Sequence, residues 1–130
     1  MVRKYSAIPL EQLQIIRDIT AFHLSEIDRG IVLIFAAWSG HSVIALQRVT
    51  ESISRRDLSF LEVKVIDIES MTGQDMNRLF GRIFHGCGET LWIRNGKVIA
   101  QVEAFDPEAE PLILAYTRQL LAERPPEAAG

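Results

Sequence analysis

The sequence predicts an α/β fold, in which helices flank a parallel or mixed β-sheet, and three observations carry that prediction. A continuous apolar run from Gly30 to Ala37 is rich in β-branched residues, which is typical of a strand buried on both faces. From Val43 to Ile53, apolar residues recur at helical spacing, so a helix follows that strand. Asn95-Gly96 then joins two β-prone runs, a strong signal for a two-residue type I′ hairpin.

Residues 1–29, ahead of the buried strand, leave two interpretations open. Pro9–Asp18 suits a helix with proline in its first position, whereas Ile15–Ile19 suits a first strand. In either case Thr20–Arg29 is predicted to be helical, with His23 on the helix surface.

Alternation and helical spacing predict the elements between the first helix and the hairpin. Ser42 is the expected N-cap of the first helix. Phe60–Ile68 alternates as a second strand, with Leu61, Val63 and Val65 on one face. An amphipathic helix is expected over Thr72–Phe84, from apolar residues at i, i+3, i+4 and i+7. Those residues are Met76, Leu79, Phe80 and Ile83.

The last helix is predicted to begin near Asp106-Pro107, with Pro111 in its first turn, where a proline removes no helical hydrogen bond. Its apolar face should carry Leu112, Ile113, Tyr116 and Leu120. Residues 1–124 are therefore expected to form a single domain, followed by a disordered tail at 125–130.

Composition excludes several classes of function. The net charge of −3 and the scattered basic residues argue against nucleic-acid binding. No apolar run approaches the roughly 20 residues that span a bilayer, so neither a membrane protein nor a secreted one is expected, and the predicted location is cytoplasmic. The single cysteine, Cys87, excludes an internal disulfide. No cofactor is predicted.

The loop from Trp38 to Ser42, placed between an apolar strand and a helix, resembles the active-site loop of the thioredoxin family, Trp-Cys-Gly-Pro-Cys. Trp38, Gly40 and Gly86 match that family in register, as does the Asn95-Gly96 hairpin. The resemblance implies a thioredoxin-like fold with three α/β/α layers. It also implies a groove beside the loop, which active relatives use to hold substrate polypeptides.

The departures from the family affect the residues that perform its chemistry. Both family cysteines fall on serines, Ser39 and Ser42, which cannot form a disulfide, so dithiol oxidoreductase activity is predicted to be absent. Four other positions also differ. The proton-accepting aspartate falls on Leu33, the cis-proline on Gly88, the threonine after it on Glu89, and a glycine of the groove rim on Glu103.

These observations predict a redox-inactive protein-binding or chaperone domain that holds a protein or peptide in the former active-site groove. No catalytic residue and no metal ligand is assigned. The expected groove residues are Trp38, Ser39, Gly40, His41, Ser42, Cys87, Gly88, Glu89 and Glu103. Glu89 and Glu103 are expected at an exposed rim, where they would favour basic partners. In size, element order and Pro-containing tail the chain is similar to thioredoxin-like chaperones of bacterial hydrogenase maturation.

Two alternatives compete with the binding function. Cys87, with His41 as a base or counter-charge, would suit a one-cysteine thiol enzyme or redox sensor. An oligomerising domain, its groove filled by a second copy, is the other. A metal site at His41, His85 and Cys87 matches no standard zinc spacing, and Ser39 with His41 lacks the rest of a hydrolase triad.

Overall fold

The computed structural model describes residues 6–8, 13–53 and 60–122. The predicted tail at 125–130 lies outside these residues, as does part of the Pro9–Asp18 segment. The described chain contains five strands and three α-helices. They are β1 (Leu13–Ile16), β2 (Arg29–Phe35), α1 (Gly40–Glu51), β3 (Glu62–Asp67), α2 (Gly73–Phe80), β4 (Thr90–Arg94), β5 (Lys97–Val102) and α3 (Ala109–Ala122).

The strands form one mixed sheet in the order β1-β3-β2-β4-β5. Strands β1 and β2 both run parallel to β3, whereas β4 is antiparallel to its neighbours β2 and β5. Strand β2 lies at the centre, and all of its residues are buried, as its apolar sequence predicts.

Helices cover both faces of the sheet, which confirms the α/β architecture. Alternate residues of β2 point to different cores: Ile31, Leu33 and Phe35 pack with α1 and α3 on one face. Val32 and Ile34 pack with α2 and the chain before β2 on the other face. The protein therefore has three layers, and none of the helices in the described ranges is long and apolar enough to cross a membrane.

The chain before β2 differs from the prediction of a helix at 20–29. Two short 3₁₀ turns, Ile19–Ala21 and Leu24–Glu26, take its place, and β2 already begins at Arg29. Ile19, Phe22 and Ile27, which lie in these turns or cap them, are buried. Of the two interpretations of the preceding segment the strand is correct, displaced toward the N-terminus to Leu13–Ile16.

Helix α2 is shorter than the predicted Thr72–Phe84. Thr72 is its N-cap, and Gly81, with φ of 71°, ends it in the left-handed conformation that glycine adopts most readily. Ile83 consequently lies beyond the helix and is exposed.

Helix α3 has Pro111 in its first turn, as predicted, and Ile113 and Leu120 lie on its buried face, also as predicted. The buried residues are Ala109, Ile113, Thr117 and Leu120. Leu112 lies off that face and is exposed, which contradicts its predicted place in the core.

The Asn95-Gly96 hairpin is confirmed. It joins β4 to β5, and both turn residues have positive φ, 52° for Asn95 and 76° for Gly96, as a type I′ turn requires.

A buried hydrogen-bond network joins β4, α3 and the end of α1. Trp92, which is completely buried, donates from Nε1 to the Thr117 hydroxyl over 3.1 Å. The same hydroxyl lies 3.0 Å from the Ser52 hydroxyl. An indole N–H buried without a partner is unfavourable, so Thr117 allows a tryptophan to fill this core.

Thr117→Val is therefore expected to lower the free energy of unfolding by about 1–3 kcal/mol, because it leaves the Trp92 N–H unpaired in the core. Urea denaturation measures the change. Thr20→Val, the same substitution at an exposed residue, should shift the midpoint far less. Equal shifts for the two variants would contradict a stabilising role for the network.

Candidate functional site

The candidate surface consists of three segments: residues 37–41 at the start of α1, residues 85–88 before β4, and residues 103–106 after β5. Hydrogen bonds join the segments. His41 Nδ1 lies 2.8 Å from the Phe105 carbonyl oxygen, and the Phe105 N–H donates to the Cys87 carbonyl over 2.8 Å. The structure thus brings together the distant parts of the chain that the sequence assigned to the groove.

Ser39, and not Ser42, is the N-cap of α1. Its backbone is extended, with φ of −105° and ψ of 119°, and its side chain accepts from the Ser42 N–H at 3.4 Å. The prediction that Ser42 caps the helix is wrong because the helix begins at Gly40, which places Ser42 inside the first turn.

Ser42 instead links three elements through its buried hydroxyl. The hydroxyl accepts from the Ala36 N–H at the end of β2 and donates to the Gly86 carbonyl, each over 3.2 Å. Both serines at the family's cysteine positions therefore have structural roles as hydrogen-bonding groups.

Glu89 is buried, which corrects its predicted place at the exposed rim. Only 1% of the residue is accessible, and its carboxylate turns back toward the preceding loop. Oε2 accepts from the His85 N–H at 2.6 Å, and Oε1 accepts from the Cys87 N–H at 3.0 Å. The carboxylate of Glu89 is consequently not accessible to a partner.

Gly88 occupies the family's cis-proline position, but its peptide bond is trans, and the described residues contain no cis peptide bond. Its φ of 90° favours glycine, and a Cβ here would lie 2.9 Å from the His41 carbonyl oxygen and 3.1 Å from the Ala45 Cβ. Gly88 therefore lets the loop approach α1 more closely than a residue with a side chain could.

Trp38 is the most exposed large apolar residue described, with 67% of its surface accessible. One edge of its ring nevertheless rests on Gly86, where an added Cβ would come within 2.9 Å of Cη2 and 3.0 Å of Cζ2. The indole of Trp38 is thus exposed on one side and in contact with Gly86 on the other, as a residue that anchors a partner would need to be.

Cys87 is half-buried in the loop that faces α1. In the structure the hydrogen bond of the His41 ring goes to the Phe105 carbonyl rather than to the Cys87 thiol. Because a carbonyl only accepts, the ring donates through Nδ1. The described residues contain no group of three or more His, Cys, Asp or Glu side chains placed to hold a metal ion.

The candidate surface has an acidic character. Glu103 is exposed, with 71% of its side chain accessible, and it forms a 3.5 Å ion pair with Arg82. Arg82 is the less exposed partner, with 24% of its side chain accessible. Asp106 is also exposed, and residues 36–47, 83–89 and 103–110 contain no Lys or Arg.

Comparison with solved structures finds the thioredoxin fold. Thioredoxin O2 from Arabidopsis thaliana superposes with a TM-score of 0.69 at 12% identity, covering 88% of this chain and 99% of that one. The Malassezia sympodialis thioredoxin Mala s 13 gives 0.62 at 16% identity, over 84% and 90%. Desulfothioredoxin from Desulfovibrio vulgaris Hildenborough gives 0.59 at 18% identity, over 86% and 98%.

The chain therefore has a thioredoxin-like fold, the class of protein that its sheet order and the loop at Trp38 also indicate. No family model and no curated protein matches the sequence. Its single cysteine means that the chain holds no dithiol pair of the kind that a thioredoxin active site uses.

Sequence reasoning missed the buried position of Glu89. The available signal was a carboxylate placed directly before the buried strand β4 and directly after the glycine-rich residues 86–88. Such a loop has backbone N–H groups without strand partners, and a neighbouring carboxylate can accept from them.

The protein is expected to leave the reduction of a disulfide-containing protein by dithiothreitol at its uncatalysed rate. Serine hydroxyls cannot replace the two thiols, and dithiol exchange needs a resolving cysteine. The Cys87→Ser variant is the control. Turnover in the wild type that disappears in this variant would reveal a single-thiol mechanism and contradict the prediction.

Proposed function

We propose that this protein is a redox-inactive thioredoxin-like domain that binds a polypeptide, as a chaperone or assembly factor, with Trp38 as its anchor. The observation that carries the proposal is the exposed indole supported by Gly86. Tryptophan is enriched among the residues that dominate protein interfaces, and a ring already held in place loses little freedom on binding.

The hydrogen bonds of residues 85–89 favour recognition through side chains over addition of a β-strand. The N–H groups of His85 and Cys87 already donate to Glu89. The carbonyls of residues 86–89 already accept from Ser42, Phe105, Thr90 and Ile34 within the domain. An extended peptide would find few free backbone partners along this loop, so affinity depends on the indole and on charge.

The proposal is also supported by the likeness to hydrogenase-maturation chaperones in size, element order and Pro-containing tail. A one-cysteine enzyme at Cys87 is less well supported, because His41 is hydrogen-bonded to Phe105. A second copy of the chain, bound at the same surface, is a further candidate partner. The cytoplasmic location of the protein stays a prediction.

Purification of the tagged protein from its native cells, with mass spectrometry of the proteins that accompany it, tests the proposal. A specific polypeptide partner supports it. A covalent adduct on Cys87 in place of a partner would favour the enzyme, and a homo-oligomer alone would favour self-association.

Trp38→Ala is expected to weaken binding of the identified partner by roughly tenfold or more, because aromatic anchors contribute about 2 kcal/mol or more at protein interfaces. Isothermal titration measures the affinity. Leu114→Ala is the matched control, since Leu114 is exposed and lines a different feature, a cavity of about 370 Å³ between α1 and α3. Loss of binding in Leu114→Ala alone would place the interface there.

Glu103→Gln is expected to slow association with a basic partner severalfold at low salt, because rim charges act mainly on the rate of encounter. The effect should fade as salt rises, since charges are screened over about 10 Å at 0.1 M ionic strength. Stopped-flow association at two salt concentrations measures it, with Glu69→Gln as a charge-matched control on another exposed segment. Equal slowing in both variants would mean that only net charge matters.

A further inference from the structure

The Glu89 carboxylate is an unusual group in this fold because it is buried and yet is bonded only to nearby backbone. Burial of a carboxylate is unfavourable unless hydrogen bonds replace its water. Here each oxygen accepts one N–H, from His85 at 2.6 Å and from Cys87 at 3.0 Å. Charge-assisted hydrogen bonds of this kind are roughly twice as strong as neutral ones.

The two bonds hold the residues on either side of Gly86. That glycine has a φ of 80° and supports the Trp38 ring, and an added Cβ would also meet the Ala36 Cβ at 2.9 Å. Its carbonyl accepts from the Ser42 hydroxyl at 3.2 Å. The Ser42 hydroxyl of α1 thus holds the carbonyl of Gly86, and the Glu89 carboxylate holds the residues before and after it.

We propose that Glu89 is a positioning residue of the candidate surface: its buried carboxylate holds Gly86 beneath Trp38 and so sets the orientation of the exposed indole. The inference rests on the proposed function for its biological meaning, but the mechanical link can be measured without a partner. Glu89 itself does not reach the surface.

Glu89→Gln tests the link with the smallest change of shape. The amide oxygen still accepts one N–H, whereas the amide nitrogen cannot accept the other. We expect amide hydrogen exchange at His85 or Cys87, or at both, to accelerate roughly tenfold, the change that loss of one charge-assisted hydrogen bond produces. Alkylation of Cys87 by iodoacetamide should accelerate with it, and the indole N–H signal of Trp38 should shift in a proton–nitrogen correlation spectrum.

Two controls separate positioning from general destabilisation. Glu69→Gln removes the same charge from an exposed residue outside the candidate surface and should leave all three measurements unchanged. Thr117→Val loosens a buried network elsewhere, so it should shift the indole signal of Trp92, which donates to Thr117, and leave that of Trp38 in place.

The proposal is overturned if Glu89→Gln leaves the Trp38 signal as in the wild type, even where exchange and alkylation accelerate, or if Thr117→Val moves that signal equally. Should Glu89→Gln not fold, slow exchange at both amides in the wild type and its loss in Glu89→Asp would support the link. Rapid exchange at both amides in the wild type would overturn it. A displaced Trp38 signal with unchanged partner affinity would leave the positioning role intact and contradict the proposed function instead.

Discussion

Burial of β2 on both faces is the constraint on which the rest of the structure depends. A strand with no exposed residue needs a helical layer on each side, and α1 and α3 supply one while α2 and the turns before β2 supply the other. The chain then leaves the C-terminal end of β2 and turns into α1. That turn carries Trp38 and Ser39, and β4 beside it delivers the glycine loop at residues 85–88. The position of the candidate surface follows from the packing of one strand.

The predictions that succeeded concern features with a local cause. The continuous apolar sequence of β2 predicts that the strand is buried on both faces. Asn95-Gly96 predicts its turn because both residues readily adopt positive φ. The failures concern choices that the tertiary structure makes. Serine is a good N-cap at either position, and the structure selects Ser39, where the backbone is extended directly before the helix. Residues 20–29 suit a helix by composition, yet the backbone becomes extended at Phe22 and again at Ile27, which ends each turn.

The predicted exposure of Glu89 is wrong for a related reason. A glutamate is usually exposed, and nothing in its immediate sequence says that His85 and Cys87 have N–H groups aimed at one point. The directions of these two N–H groups depend on the positive φ of Gly86 and Gly88. Gly88 also lies in close contact with α1. Because Glu89 is buried, the acidic character of the surface comes from Glu103 and Asp106.

Hydroxyl and carboxylate groups form a hydrogen-bond network at the start of α1 and in the loop before β4. Ser39 and Ser42 hold α1 and the loop by hydrogen bonds, and Glu89 uses the backbone donors that a glycine-rich loop would otherwise expose. Each bond that stabilises the loop also removes a group with which a peptide backbone could pair. This surface is acidic, the backbone carbonyls of residues 86–89 are already paired within the domain, and its largest accessible apolar group is one indole. These properties support the proposal of a partner that presents basic and apolar side chains over the proposal of one that adds a strand.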